Sequence, residues 1–169
     1  MEGEHISNSY LSMLERELTG RNQFFGDESF LKFGKELHKR FLEPRRRREL
    51  LSPEEEVKIA GMLTSLRQHT VVQSLMKGSL KEQRTRALIR GQWFKVILDI
   101  DRGLLAADIK TTSCKTLAEF LRSMVKYDYG RQGKLYSLAK GKEQFVFIGV
   151  SKKEPYEVFL VDLATYPHL

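Results

Sequence analysis

"ADIKTTSCKTLAEFLRSMVKYDYGRQGKLYS", residues 107–137, passes from the end of an apolar strand-like run into two helical segments, and the fold turns on that order. Alternation along a strand puts Asp108 and Lys110 on one face of the sheet and points Ile109 into the core on the other. Thr116 and Glu119 form a capping box, which opens a helix carrying Leu117, Phe120, Leu121 and Met124. A further helix before Gly141 holds Gln132 and Tyr136, four apart and so on one face.

On the N-terminal side of this stretch, "QRTRALIRG" and "QWFKVILDI" read as strands joined near Gly91, and "GLLAADIKT" follows a turn at "DRG". On the C-terminal side, "QFVFIGV" and "YEVFLVD" read as two strands separated by "SKKEP". The N-terminal part is helical. Phe30, Phe33, Leu37 and Phe41 form an apolar stripe over residues 29–43, stopped at Pro44. Ser52 and Glu55 make a second capping box around Pro53, and Val57, Ala60 and Leu63 carry that helix to about Met76, where "MKGS" breaks it. Helices followed by mixed strands and helices give an α/β (α+β) class. A length of 169 residues without repeats or a long linker predicts one domain, 1–169.

Of these residues 41% are hydrophobic and 30% charged, which excludes a disordered chain. No apolar run reaches about eighteen residues, and "MEGEHISNSYLSML" lacks the order of a signal peptide, so the sequence predicts a cytoplasmic protein without a membrane partner. One cysteine, Cys114, excludes an internal disulfide and a Cys-rich zinc site. The net charge of +7 is concentrated in "PRRRREL" (44–50) and "KEQRTRALIRGQWFK" (81–95), which favours a polyanionic partner. The arginine run Arg45–Arg48 serves either as a phosphate contact or as a solvated linker between helices.

Asp108 and Lys110 can be a plain surface ion pair. They also offer a carboxylate to a hard divalent cation beside an ammonium that can hold an attacking water or stabilise phosphate charge. Gln132 and Tyr136 present an amide and a phenol together. Gly34, four residues before His38, leaves room beside an imidazole that is either satisfied by a backbone carbonyl or available to a metal.

Together "ISNSYLSML", "FGKELHKRFLEP", "DIKTT" and "YDYGRQGKLY" resemble the PD-(D/E)XK nuclease superfamily, and within it the exodeoxyribonuclease VIII (RecE)-like and RecB-like nucleases. The resemblance runs from about Ile6 to Tyr136 and rests on the order and spacing of several short motifs. It implies a restriction-endonuclease-like mixed central sheet flanked by helices, with an N-terminal helical part. It implies a DNA exonuclease using Mg2+ or Mn2+. On it, His38, Asp108 and the backbone carbonyl of Ile109 would hold the metal, Asp108 and Lys110 would be catalytic, and Gln132 and Tyr136 would contact DNA. Glu82 stands where the family has an upstream acid. A homo-oligomer, or a recombination or phage protein, is the further partner such a family suggests.

One position departs from the pattern. Aligning "RGQWFKVILD" with the family's preceding strand puts Phe94 where an aspartate belongs, and phenylalanine cannot ligate a metal. A three-residue loop of Asp101, Arg102 and Gly103 would pair Ile100 with Leu104 and set Phe94 opposite Lys110, and glycine at its last position favours it. A two-residue loop of Arg102 and Gly103 would instead bring Lys95, Ile97 and Asp99 onto the active face. The sequence therefore predicts a metal-dependent deoxyribonuclease, with a catalytically degenerate DNA-binding or protein-interaction module as the alternative.

Overall fold

The computed structural model describes residues 6, 7, 10, 11, 18, 28–166, 168 and 169. Most of "ISNSYLSML" beyond Ile6 and Ser7 lies outside them. Helix α1 (Glu28–Leu42) carries the expected stripe, with Phe33, Leu37 and Phe41 buried. The capping box of Ser52 and Glu55 opens α2 (Pro53–Gln68) as expected. The chain does not stay helical to Met76: His69 is extended, and α3 (Thr70–Met76) starts afresh. The β-branched run Thr70, Val71, Val72 weakens helical propagation at that junction.

Among the described residues five strands follow: β1 (Leu80–Ile89), β2 (Gln92–Arg102), β3 (Leu105–Thr112), β4 (Gln144–Ser151) and β5 (Val158–Asp162). They form one mixed sheet in the order β1-β2-β3-β4-β5, antiparallel except for the parallel pair β3/β4. Between β3 and β4 lie α4 (Leu117–Lys126), opened by the Thr116 cap, and α5 (Tyr129–Lys140). The class is the α/β mixed sheet with flanking helices and N-terminal helices that the sequence implies.

Two cores lie against this sheet. One joins α1, α2 and α3 to Ile100, Ala107, Ile109, Ile148 and Val150. The other joins Phe120, Met124, Phe145 and Phe147 to Val96, Leu98 and Ala106. Fully burying one such side chain stabilises the fold by roughly 1.5–3 kcal/mol. Glycine decides how close α5 comes to the sheet. A Cβ at Gly133 would lie 2.4 Å from Leu163 Cδ1 and 3.1 Å from the Phe145 and Phe147 rings, so any other residue would push the helix and its neighbour Gln132 outward. Gly34 of α1 also faces β3, but a Cβ there would make only ordinary contact with Thr111 Oγ1 at 3.4 Å.

Polar anchoring fixes α1 in addition. Arg40 grips Glu56 of α2 with two hydrogen bonds of 2.6 and 2.8 Å and donates from Nε to the buried Glu36 at 2.8 Å. The amide of Glu49 also donates to Glu36, which ties down the arginine-rich segment after α1. Removing one of the two buried members, Glu36 or Arg40, costs about 3–5 kcal/mol, because it strands the other charge.

The β2/β3 hairpin differs from both predicted loops. Arg102 pairs with Leu105, Asp101 with Ala106 and Ile100 with Ala107, leaving Gly103 and Leu104 as a two-residue loop. Gly103 has φ +57, the residue type that a hairpin with positive φ at its first loop position favours. The C-terminal half of the chain selects this register. Leu104 O accepts from the amides of Glu143 and Gln144, and Lys142 binds both the Asp101 carboxylate and Gly103 O. Leu104 is thus drawn toward β4 and away from Ile100.

Candidate metal centre and active site

Register moves Phe94 out of the site. It pairs with Ala87 of β1 on one side and bridges Ile6 on the other. The acid that reaches the site is Asp99, five residues on, or about 16 Å along the strand. Pairing between β2 and β3 stops at Ile100 and Ala107, and the strands part beyond it. Into that gap Asp99 turns its carboxylate, where Oδ2 accepts the Ile109 amide at 2.7 Å in place of a backbone carbonyl. The same oxygen lies 3.4 Å from His38 Nδ1 of α1.

Opposite Asp99, Glu82 breaks the regularity of β1 with φ +50, although the flanking pairs Lys81/Ile100 and Gln83/Leu98 keep one register. A non-glycine residue there is held against its backbone preference by its surroundings. Ligand atoms of His38, Glu82 and Asp99 all fall within 4.8 Å of one another, a group that could hold a metal ion.

The sequence-assigned pair lies on the other flank of β3. Lys110 Nζ is 2.7 Å from Asp108 Oδ2, and Gln132 Nε2 of α5 donates to Asp108 Oδ1 at 3.1 Å. Tyr136, one turn further along α5, meets the Phe145 ring edge-on, and burial together with the charge of Asp108 pushes its phenol up. Lys110 Nζ also sits 5.0 Å from the centre of the Tyr129 ring, which itself stacks on Phe147. Ile109 joins the two flanks. Its side chain is buried in the helical core, and its amide holds Asp99. In a strand a residue's N–H and C=O leave by the same edge, so its carbonyl faces the gap as well.

His38, Asp108, Ile109, Lys110, Gln132 and Tyr136 therefore come together. The metal-capable group, however, is His38 with Glu82 and Asp99, and Asp108 is turned toward Lys110 and Gln132. The sequence missed the Tyr129 ring. The aromatic pair in "KYDYG" flanking Asp128 was its only signal.

Charge accounts for the strength of this constellation. Burial pushes the His38 imidazole down, but Asp99, with help from Asp108, overrides that and raises it to about 9 against the repulsion of Lys110. Burial pushes Glu82 up, and the negative charge of Asp99 adds to the shift. Asp108 is likewise pushed up by burial and by Asp99, against the pull of Lys110. For Lys110, burial opposes the charged form, yet Asp108 and Tyr129 more than compensate and hold it protonated. Burial also opposes the ionised form of Asp99, but His38 and the Ile109 amide override it and hold that carboxyl below the usual carboxylate range. Carboxylate oxygens beside one imidazole nitrogen make a donor set that suits Mg2+ or Mn2+. Asp108 Oδ2 is buried and is engaged by the Lys110 ammonium at 2.7 Å.

Comparison with known proteins agrees with this fold. A family described as "PDDEXK-like domain of unknown function (DUF3799)" matches residues 17–167. Among curated proteins, none matches the sequence. A crystal structure of a "putative exonuclease" from Eubacterium rectale superposes with a TM-score of 0.62 at 17% identity, covering 90% of this chain and 67% of its own. A "phage related exonuclease" from Haemophilus somnus gives 0.52 at 16% identity, covering 92% of this chain and 71% of its own. At such identities the likeness is one of fold.

Proposed function

We propose that this chain, which belongs to the PDDEXK-like DUF3799 family, is a divalent-metal-dependent deoxyribonuclease that degrades DNA from an end. The observation that carries the reading is Asp99: a buried carboxylate stands beside His38 and the Ile109 amide, where an acid had seemed to be lacking. The exonuclease descriptions of the two similar folds support the choice of reaction, and the phage-related one supports a role in phage or recombination DNA metabolism. No helix among the described residues is long and apolar enough to cross a membrane.

His38, Glu82 and Asp99 would hold Mg2+ or Mn2+, with the Ile109 carbonyl and Asp108 as further ligands. When bound, the ion supplies positive charge to a phosphate oxygen and lowers the pKa of a coordinated water. The remaining work belongs to the protein. Lys110, kept protonated by Asp108 and backed by the Tyr129 ring, donates to the attacking water or to the scissile phosphate. Gln132 fixes the Asp108 carboxylate, which aims Lys110. Tyr136, one turn from Gln132 on the same helix face, offers its phenol to the DNA backbone.

Asp99 supplies a carboxylate where the alternative of a degenerate module rested on Phe94, and this supports the catalytic reading. The direct experiment incubates labelled linear and circular duplexes with the protein in Mg2+, Mn2+ or chelator. Linear DNA should be degraded in a metal-dependent way and circular DNA spared. Lys110→Ala should slow the reaction by about 10²–10³, the scale of losing one charge-stabilising donor. A folded parent protein that cuts neither substrate with either ion would overturn the reading.

A further inference from the structure

The arginine run Arg45–Arg48 takes no part in the metal centre, yet its setting is not that of a solvated linker. Helix α1 ends at Leu42, and the chain turns at Pro44 and Arg45 and bends at Arg46. Hydrogen bonds fasten this corner to the helix it leaves. The Arg46 amide donates to Glu43 O at 2.9 Å, the Glu49 amide to the Glu36 carboxylate at 3.2 Å, and Arg40 Nη2 to Glu49 O at 3.4 Å. Glu36 and Arg40 are themselves buried, so the corner is tied to the interior.

All four arginines are exposed. Consecutive Cα atoms stand about 3.8 Å apart, inside a screening length of about 8 Å, so the four charges repel one another. The neighbouring acids are committed elsewhere: Glu36 to Lys39 and Arg40, Glu49 to Lys39, and Glu56 to Arg40. Arg46 pairs with Glu43 at 2.6 Å, and Arg48 acts on Glu56. Arg45 and Arg47 have no carboxylate within ion-pair distance among the described residues. A buried network thus holds together cations that solvent alone would spread, and leaves two of them to an anion from outside.

The corner adjoins the metal group. Helix α1 carries His38 there and ends four residues later, about 6 Å along its axis. Glu82 interacts with the charges of both Glu43 and Arg46. The corner therefore flanks the metal group on the α1 side, whereas Gln132 and Tyr136 stand on α5.

We propose that the Arg45–Arg48 corner is a clamp for the DNA backbone beside the scissile phosphate, in which Arg45 and Arg47 each take a phosphate. The inference rests on the nuclease reading and specifies how that site holds its substrate: by sequence-independent charge contacts, on a fixed turn, close to the cut. A guanidinium offers two parallel N–H donors to phosphate oxygens, and a turn already held in place loses little freedom on binding. An acidic membrane surface is the other polyanion that four arginines could meet. The corner's place beside the metal group favours DNA, because a phosphodiester that reaches the metal carries its neighbouring phosphates past the corner.

Fluorescence anisotropy with a labelled duplex in chelator, from about 50 to about 200 mM salt, tests it. Arg45→Ala with Arg47→Ala should weaken binding and flatten the log–log salt slope by about 2, two contacts at about 0.9 each, and Arg45→Gln with Arg47→Gln should match it. Arg45→Lys with Arg47→Lys should keep the slope, since the charges remain. Lys77→Ala with Arg122→Ala, which removes the same charge from exposed positions elsewhere, should keep it too. Equal flattening by this control pair would show net charge alone at work and overturn the clamp. An unchanged slope in an alanine or glutamine variant that melts like the parent would do the same, even with normal cleavage. Loss of binding to phosphatidylserine vesicles in the alanine variant, with the duplex slope unchanged, would assign the corner to a membrane instead. A parent that cuts nothing in Mg2+ or Mn2+, while the alanine variant still shows the flattened slope, would sink the nuclease reading and support the clamp.

Discussion

The two ends of β2 obey different rules. At the outer end, Gln92–Leu98, the strand pairs regularly with β1 and alternates between a buried face and a basic exposed one. At the inner end, Asp99–Arg102, four consecutive residues include three that are buried, two of them acids, and pairing to β3 lasts for only three residues. Leu98 and Ile100 should share a face, yet Leu98 packs in the α4–α5 core and Ile100 in the α1–α3 core. The strand rolls between them, at Asp99, opposite the positive φ of Glu82. Strand alternation is reliable only where the ladder is unbroken, and the candidate site lies where it breaks.

The largest expected effect distinguishes the two ends by activity. Asp99→Ala removes a metal-facing carboxylate and should slow DNA cleavage by roughly three orders of magnitude or more, given several kcal/mol of metal-supplied stabilisation. Gel assays beside a thermal melt would separate this from unfolding. A variant that melts normally and cuts at the parent's rate would erase the contrast between the ends of β2.

A smaller effect should follow from Gln132→Leu, which keeps volume but leaves Asp108 Oδ1 without its partner. Loss of such an orienting contact should slow cleavage by about 10- to 100-fold, with little change in divalent-ion affinity. A large fall in ion affinity would show instead that Asp108 is a principal ligand and that the centre extends across β3.

Least should happen to activity at the outer end. Phe94→Asp puts a charge where a half-buried ring packs, and should cost about 1–3 kcal/mol of stability in a denaturant titration. Cleavage per folded molecule should not change. Increased cleavage would restore Phe94 to the acid position and with it the three-residue loop.

How legible these regions were follows the same division. The capping box at Ser52/Glu55 and the Thr116 cap opened the helices they announced, because a cap is a local bargain between a side chain and the first amides of a turn; at the second helix Glu119 accepts the Lys115 amide rather than that of Thr116, so only half of the expected box forms. The order of strands was readable from composition for a similar reason. The hairpin register was not, since it is set by Lys142, Glu143 and Gln144, some forty residues away. Parity alone raised Asp99 as a candidate under a two-residue loop, although the loop that formed is Gly103–Leu104 rather than Arg102–Gly103. Glu82 was placed only by family spacing, and no property of its own segment marked it as a partner of His38. Glu36 and Arg40 stand four apart as any exposed helix pair does, so nothing local marks them as buried.

The central claim is that Asp99, together with His38 and Glu82, makes a divalent-ion site. Calorimetric titration of Mn2+ into the parent protein and into Asp99→Asn, at one pH and without DNA, tests it most directly. The account predicts saturable binding by the parent and at least about tenfold weaker binding by Asp99→Asn, the minimum scale for disturbing a metal's ligand sphere. Equal affinity in the two folded proteins would contradict it.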